Sequence, residues 1–140
     1  HAPHGKAFSS LGRLLDPITQ DACMFFEDHA VCATGGGRVA VDEADGAAIA
    51  AALGPHKAVI HRNHGVITVG DTVDAAAWWF ITADRSCQAE LLARAAGTPT
   101  EIDPATAALT HSQVGSDAVG AFSFHPLYCW IVAEEPDLLD

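Results

Sequence analysis

The stretch Ala58-Val-Ile-His-Arg-Asn-His-Gly-Val-Ile-Thr-Val-Gly70 decides how the centre of this chain folds. Two β-branched runs, residues 58–60 and 66–69, are predicted to form strands on either side of a polar corner. Asn63 and Gly65 supply the backbone freedom that a tight turn needs. Strand ends would hold His64 firmly and leave it accessible, so His64 is a candidate metal ligand. A turn histidine that only forms hydrogen bonds is the alternative.

The composition describes one acidic domain over residues 1–140. Hydrophobic residues make up 49% of the 140, which is enough for a core and excludes disorder as the main state. The net charge of −11, with seven Lys and Arg, argues against nucleic acid or an anionic membrane as a partner. We expect neither a signal peptide nor a membrane span. Because the chain opens at His1 rather than Met, we expect a processed protein or a fragment.

Four cysteines are present, and none belongs to a Cys-x-x-Cys pair, which argues against a structural zinc ribbon. Cys23 and Cys129 have apolar neighbours in the sequence. Free, buried thiols in a reducing compartment are therefore expected, and with them a cytoplasmic location.

Shorter elements are predicted around the central stretch. Apolar residues at helical spacing predict a helix over residues 6–15, and residues 38–41 are predicted to form a strand. Asp42 is a candidate N-cap for a helix that stops at Gly54. The sequence leaves the structure of two segments open. Residues 21–31 are predicted to form either a short helical turn or a strand, and residues 101–119 either a loop or a loose helix.

The longest predicted helix runs over Val73–Ala96, with Asp71 or Thr72 as its cap. Part of its apolar stripe is expected to pack on the sheet: Phe80, Ile81 and Leu91. The adjacent Trp78 and Trp79 point in two directions, so one of them is expected to extend beyond the core to a packing or subunit surface.

Histidine is frequent, with eight in the chain. His1 and His4 precede a predicted helix and His64 occupies the turn, so these three are the candidates for metal chemistry. A catalytic zinc needs about three protein ligands and an open position. Four other histidines are expected to be structural: His29, His56, His111 and His125.

The order and spacing of three blocks resemble the class II aldolase/adducin family. The blocks are His1-Ala-Pro-His-Gly-Lys-Ala-Phe-Ser9, Arg62-Asn-His-Gly65 and Ala75-Ala-Ala-Trp-Trp-Phe80. The resemblance implies an α/β fold, an α/β/α layered domain around a mainly antiparallel sheet, often in a homotetramer with active sites between subunits. It also implies that residues 1–140 are the carboxy-terminal larger part of such a domain and lack its N-terminal part.

The resemblance further implies zinc, or another divalent metal, held by a His-x-His pair and a later histidine. His1 matches the second member of that pair and His64 matches the later ligand. His4 matches a neighbouring histidine and is a candidate to support the ligands rather than to bind the metal. The first histidine of the pair and the acid/base carboxylate are expected upstream of residue 1.

The implied reaction is zinc-dependent aldol cleavage or formation in a small sugar or sugar phosphate, through a metal-stabilised enediolate. Because this chain contains only two of the three implied zinc ligands, it is expected to bind zinc weakly and to be inactive without the upstream part. The alternative is an adducin-like scaffold that binds no metal and works through protein contacts. A homo-oligomer, such as a tetramer, is expected in either case.

Overall fold

Helices surround a small three-stranded sheet in this computed structural model, which describes residues 1–39 and 41–139. The elements follow in chain order: α1 (Pro3–Ser9), α2 (Gln20–Cys23), β1 (His29–Cys32), α3 (Glu43–Leu53), β2 (Ala58–His61), β3 (Gly65–Thr68), α4 (Val73–Ala96), α5 (Pro104–Val114), α6 (Asp117–Glu134) and a final 3-10 turn (Pro136–Leu139). The α/β class predicted from the sequence is confirmed.

The sheet has the order β1-β2-β3, with β2 in the centre. β1 runs parallel to β2, pairing Val31 with Ile60, and β3 runs antiparallel to it, pairing Val66 with Ile60. All four residues of β2 are buried, because helices cover the strand on both faces. The described strands thus form one parallel and one antiparallel pair, rather than the mainly antiparallel arrangement that the resemblance implied.

The predicted strands on either side of the polar corner are confirmed as β2 and β3. Asn63 takes a φ of 61°, in the left-handed region that asparagine tolerates better than most residues. The backbone N–H of His64 donates a hydrogen bond of 3.0 Å to the carbonyl of His61 and closes the turn.

Local capping signals placed α3 and α4 correctly. The side chain of Asp42 accepts a hydrogen bond from the backbone of Asp45 at 2.9 Å, and Thr72 caps α4 in the same way through Ala75 at 3.1 Å. α4 begins and ends where the sequence predicts, at Val73 and Ala96.

The buried face of α4 differs from the predicted stripe. Trp79, Ala83 and Cys87 face the core, while Val73 is 84% exposed. Phe80, Ile81 and Leu91 are only half-buried. Apolar residues lie all around this helix, so tertiary packing rather than periodicity selects the face that is buried.

Two short predictions were wrong. The first helix ends at Ser9 instead of continuing to residue 15, and Gly12 then turns the chain with a φ of +60°. Arg38, Val39 and Val41 are not in a strand, and Ala40 lies outside the described residues. The two open segments are helix α2 with strand β1, and helix α5 with the start of α6. None of the described helices combines the length and the apolar character needed to cross a bilayer.

Candidate metal centre

His1 and His64 lie next to each other at the corner between β2 and β3. Their imidazole rings stack with centroids 4.7 Å apart and planes 24° apart. Helix α1 brings His1 there: the backbone N–H of Asn63 donates to the carbonyl of Ser9 at 3.2 Å. A side chain at Gly5 would come within 3.2 Å of Val66, so the small residue permits this close approach.

His61 also belongs to this group, although the sequence did not single it out. Its ring also stacks on the ring of His64, with centroids 5.0 Å apart and planes 15° apart. His61 is 3% exposed, and its Nε2–H donates to the carbonyl of Thr34 at 3.0 Å. The sequence contained one signal for His61, the spacing His61-x-x-His64 across a tight turn. A side chain at the strand end and one in the turn then lie at the same corner.

The glycine-rich loop formed by Gly35, Gly36 and Gly37 packs on the same corner. A side chain at Gly36 would lie 3.1 Å from the backbone carbonyl of Arg62 and 3.2 Å from its guanidinium nitrogen. Glycine suits this position because the loop approaches the corner so closely.

His4 is connected to helix α4 rather than to the stacked rings. Its Nδ1 lies 2.9 Å from a carboxylate oxygen of Asp84, and the backbone N–H of Gly5 donates to the other oxygen at 2.7 Å. Burial alone would raise the pKa of Asp84, but these hydrogen bonds outweigh it and hold the pKa below its ordinary value. The carboxylate therefore stays ionised and fixes one nitrogen of His4.

His1 and His64 fit a divalent metal in their chemistry, since imidazole nitrogen is a common ligand of zinc and related ions. They supply only part of a ligand set. Within residues 1–39 and 41–139, no three His, Cys, Asp or Glu side chains are arranged to hold a metal together. A catalytic zinc site counts about three protein ligands, so this pair is one donor short.

The other predicted structural histidines lie away from this pair. His29 is buried: its Nδ1–H donates to the Phe25 carbonyl at 2.6 Å, and its Nε2 accepts from the Leu15 N–H at 2.9 Å. His111 and His56 flank Asp28, at 3.0 and 3.9 Å.

A cavity of about 440 Å³ lies at the N-terminal end of β2, beside Lys57 and Asp28. The ammonium group of Lys57 is 3.1 Å from Asp28 and 4.2 Å from the ring centre of Trp79. Burial raises the pKa of Asp28, yet the bonds from His111 and Lys57 outweigh it and lower the pKa overall. The buried ammonium of Lys57 and the partly buried carboxylate of Asp28 compensate one another, as charges in a structural network do.

Comparison with known proteins agrees with this architecture. Residues 1–91 match the sequence model described as the class II aldolase and adducin N-terminal domain. Over 99% of the chain, it is 49% identical to decarboxylase NovR of Streptomyces niveus, covering 51% of that protein. Over the same share, it is 48% identical to 4-hydroxy-3-prenylphenylpyruvate oxygenase/4-hydroxy-3-prenylbenzoate synthase of Streptomyces roseochromogenus subsp. oscitans, covering 50% of it.

Solved structures show the same fold. L-fuculose 1-phosphate aldolase from Glaciozyma antarctica PI12 superposes with a TM-score of 0.84 and 41% identity, over 96% of this chain and 50% of that one. An aldolase II superfamily protein from Pseudomonas syringae gives 0.81 and 25% identity, over 96% and 54%. The chain spans about half the length of the curated relatives in these matches. With its histidine corner and its fold, the chain belongs to the class II aldolase and adducin family.

Proposed function

We propose that the protein containing this chain is a divalent-metal-dependent enzyme that breaks a carbon–carbon bond beside a carbonyl group. One observation carries the proposal: the rings of His1 and His64, distant in sequence, stack 4.7 Å apart at the end of a β-hairpin. Both are proposed metal ligands, and the remaining ligands come from the rest of the full-length protein. Zinc is the candidate metal for aldol cleavage, and a redox-active metal such as iron is the candidate for an oxidative reaction.

A bound divalent metal supplies Lewis-acid stabilisation of the negative charge that develops on a carbonyl oxygen as the neighbouring bond breaks. His1 and His64 bind through neutral imidazoles, which leave the metal its positive charge. Asp84 holds Nδ1 of His4 and leaves Nε2 for proton exchange. This is the carboxylate–histidine arrangement that orients an imidazole as an acid or base.

The substrate is the finer part of the proposal. Aldol cleavage releases an aldehyde and leaves an electron pair on the carbon beside a carbonyl. Loss of carbon dioxide from a 2-oxo acid would leave the pair on the carbonyl carbon itself, so that reaction requires dioxygen as the electron acceptor, in keeping with the oxygenase in the name of the second relative. The family resemblance favours a small sugar or sugar phosphate. The names of the two Streptomyces relatives, a decarboxylase and an oxygenase of a phenylpyruvate, favour a 2-oxo acid instead. We give the 2-oxo acid precedence, because these relatives match nearly the whole chain.

An adducin-like scaffold remains the alternative from another class. A metal enzyme needs paired imidazoles at a supported strand end, whereas a scaffold does not. Metal content separates the two directly. It also separates zinc from a redox-active metal such as iron, which an oxygenase would use.

We further propose a cytoplasmic homo-oligomer. The Trp pair does not motivate it, since Trp79 is completely buried and Trp78 packs against the core. The exposed apolar surface lies on α6 instead, where Phe122 is 81% and Trp130 is 65% exposed. Apolar surface of this kind is typical of interfaces. Light scattering of the full-length protein, with Phe122→Ser and Trp130→Ser combined, should show an oligomer that the double variant weakens.

The test of the enzyme proposal is metal analysis and activity of the full-length protein. We expect about one metal per chain, loss of metal and of activity in His64→Ala, and carbon dioxide release from 2-oxo acids that depends on dioxygen. His111→Ala is the control, because it removes an imidazole distant from the corner. Metal-free wild-type protein after expression in metal-rich medium, with no gain on metal addition, would favour the scaffold. Activity on sugar phosphates alone would overturn the substrate choice.

A further inference from the structure

The ring of His64 is stacked with two other imidazoles. The ring of His1 is 4.7 Å away and the ring of His61 is 5.0 Å away, measured between ring centroids. Within the described part of the chain, the side chain of His64 makes no hydrogen bond to protein. Metal-binding histidines usually obtain their orientation from a hydrogen bond at the second ring nitrogen. Within the described residues, the rings of His1 and His61 are the contacts that can orient His64.

His61 has the properties of a fixed support. It is the last residue of β2, its backbone is paired on both sides, and its side chain is 3% exposed. The bond from its Nε2–H to the Thr34 carbonyl, at 3.0 Å, prevents rotation of the ring. Thr34 itself lies just after β1, so the support spans two adjacent strands.

We infer that His61 is a positioning residue for His64: it presents a flat, immobile ring that fixes the direction of the His64 imidazole. The inference rests on the proposed function, in which His64 binds a metal. A histidine suits this role because it combines a planar face with an N–H donor for Thr34. Phenylalanine offers only the face, and alanine offers neither.

The chemistry explains why such a support matters at this corner. The lone pair of a ligand nitrogen must point at the metal, and rotation of the ring directs it elsewhere. His64 follows Asn63, which has a left-handed backbone, and is itself only half-buried, so its side chain has space to move. A rigid neighbour reduces the rotamers that metal binding has to restrict.

The experiment compares metal binding by full-length wild-type protein, His61→Ala, His61→Phe and His64→Ala, with Co²⁺ as the spectroscopic probe. We expect His61→Ala to weaken Co²⁺ binding by roughly 10- to 100-fold, the usual effect of losing a group that supports a ligand. His61→Phe should lose less, and His64→Ala should lose binding altogether. The Co²⁺ absorption bands should be unchanged in both His61 variants, because the ligands are the same. His56→Ala, at the other end of β2, is the control and should bind as wild type.

Two outcomes would overturn the inference. Wild-type affinity in His61→Ala would show that His64 needs no support. Loss of binding as complete as in His64→Ala, or altered Co²⁺ bands at saturating metal, would show that His61 is itself a ligand. Thermal melting of each metal-free variant separates these effects from unfolding.

A second measurement needs no metal and so separates this inference from the proposed function. In metal-free protein, NMR of labelled histidines should give a contact between the His61 and His64 rings and a single side-chain rotamer for His64. The rotamer should become averaged in His61→Ala. If wild type binds no metal, the proposed function fails, while the rotamer result still decides whether His61 orients His64. An unchanged rotamer in His61→Ala would refute the positioning role.

Discussion

The indole Nε1–H of Trp79 donates a hydrogen bond of 2.7 Å to the carboxylate of Asp117 and joins the first half of α4 to the start of α6. The same ring lies under the Lys57 ammonium and meets Phe25 edge-on at 6.3 Å. Trp79 therefore connects two helices, the sheet end and the core. No other described residue of α4 combines full burial with so large a side chain.

We predict that Trp79→Ala lowers the free energy of unfolding by about 3–5 kcal/mol, the usual cost of emptying a large aromatic core site. Phe80→Ala, at the next position, should cost about 1 kcal/mol, because Phe80 is only half-buried. Urea unfolding of both variants provides the measurement. Equal losses of unfolding free energy would show that the core face of α4 includes Phe80.

Gly120 and Gly46 offer a matched pair inside two helices. A methyl group at Gly120 would lie 2.8 Å from the Trp79 ring, whereas one at Gly46 would meet nothing within 4 Å. Alanine gains about 0.5–1 kcal/mol over glycine in a helix interior. Forcing a methyl group into a packed core costs about 1–3 kcal/mol, so the clash dominates at Gly120.

Accordingly, Gly120→Ala should lower the melting temperature and Gly46→Ala should raise it slightly. Differential scanning calorimetry of the two variants measures both changes. Stabilisation by Gly120→Ala would mean that α6 can move away from α4 at little cost.

Features that depend on neighbours in sequence were predictable. The Asp42 and Thr72 caps and the Asn63 turn are each encoded within a few residues, and the structure has them where the sequence placed them. Features that depend on distant partners were not. Nothing near His61 indicates that Thr34 will accept its hydrogen bond, so it resembled an ordinary strand residue.

The same reason explains the error on α4. Its buried face is chosen by the sheet and by α6, neither of which is visible from periodicity in an apolar-rich helix. The pairing of β1 with β2 is similarly non-local, because a whole helix, α3, separates the two strands. For the metal centre, the resemblance named His1 and His64, but only the folded chain shows their rings in contact.

The cysteines should differ sharply in reactivity. Cys87 is completely buried, and burial, together with the nearby charges of Asp84 and Glu90, raises the pKa of its thiol to about 12. Cys129 is exposed on α6, so the buried thiol expected from its apolar sequence neighbours is wrong for this residue. Because the thiolate is the reactive form, native protein should be alkylated by iodoacetamide at Cys129 and not at Cys87.

Mass spectrometry of tryptic peptides after brief labelling tests this difference. Labelling of Cys87 should appear only after unfolding in guanidinium chloride, and Cys129→Ser should remove the fast reaction. Rapid native labelling at Cys87 would indicate that α4 opens readily from the core.

Stability should depend on pH through His29. Burial lowers the pKa of this imidazole, the nearby charge of His56 lowers it further, and the Phe25 carbonyl and Asp28 only partly compensate. In the neutral form, Nδ1–H donates to Phe25 while Nε2 accepts from the Leu15 N–H. A second proton would remove that acceptor. The folded state therefore binds a proton at His29 less readily than the unfolded chain does.

The sign follows from this difference. Below about pH 6.5, the ordinary histidine value, the unfolded chain takes up a proton that the folded chain refuses, so stability falls as pH falls. The fall continues until the lowered folded pKa is reached, with a slope of at most about 1.4 kcal/mol per pH unit for one proton. We expect the difference in unfolding free energy between wild type and His29→Gln to shrink from pH 7 to pH 5. The other titrating groups that act on His29 or contact Asp28, namely His56, Asp28 and His111, are common to both proteins. Parallel curves for the two proteins across that range would show that His29 takes up its proton equally well in the folded state.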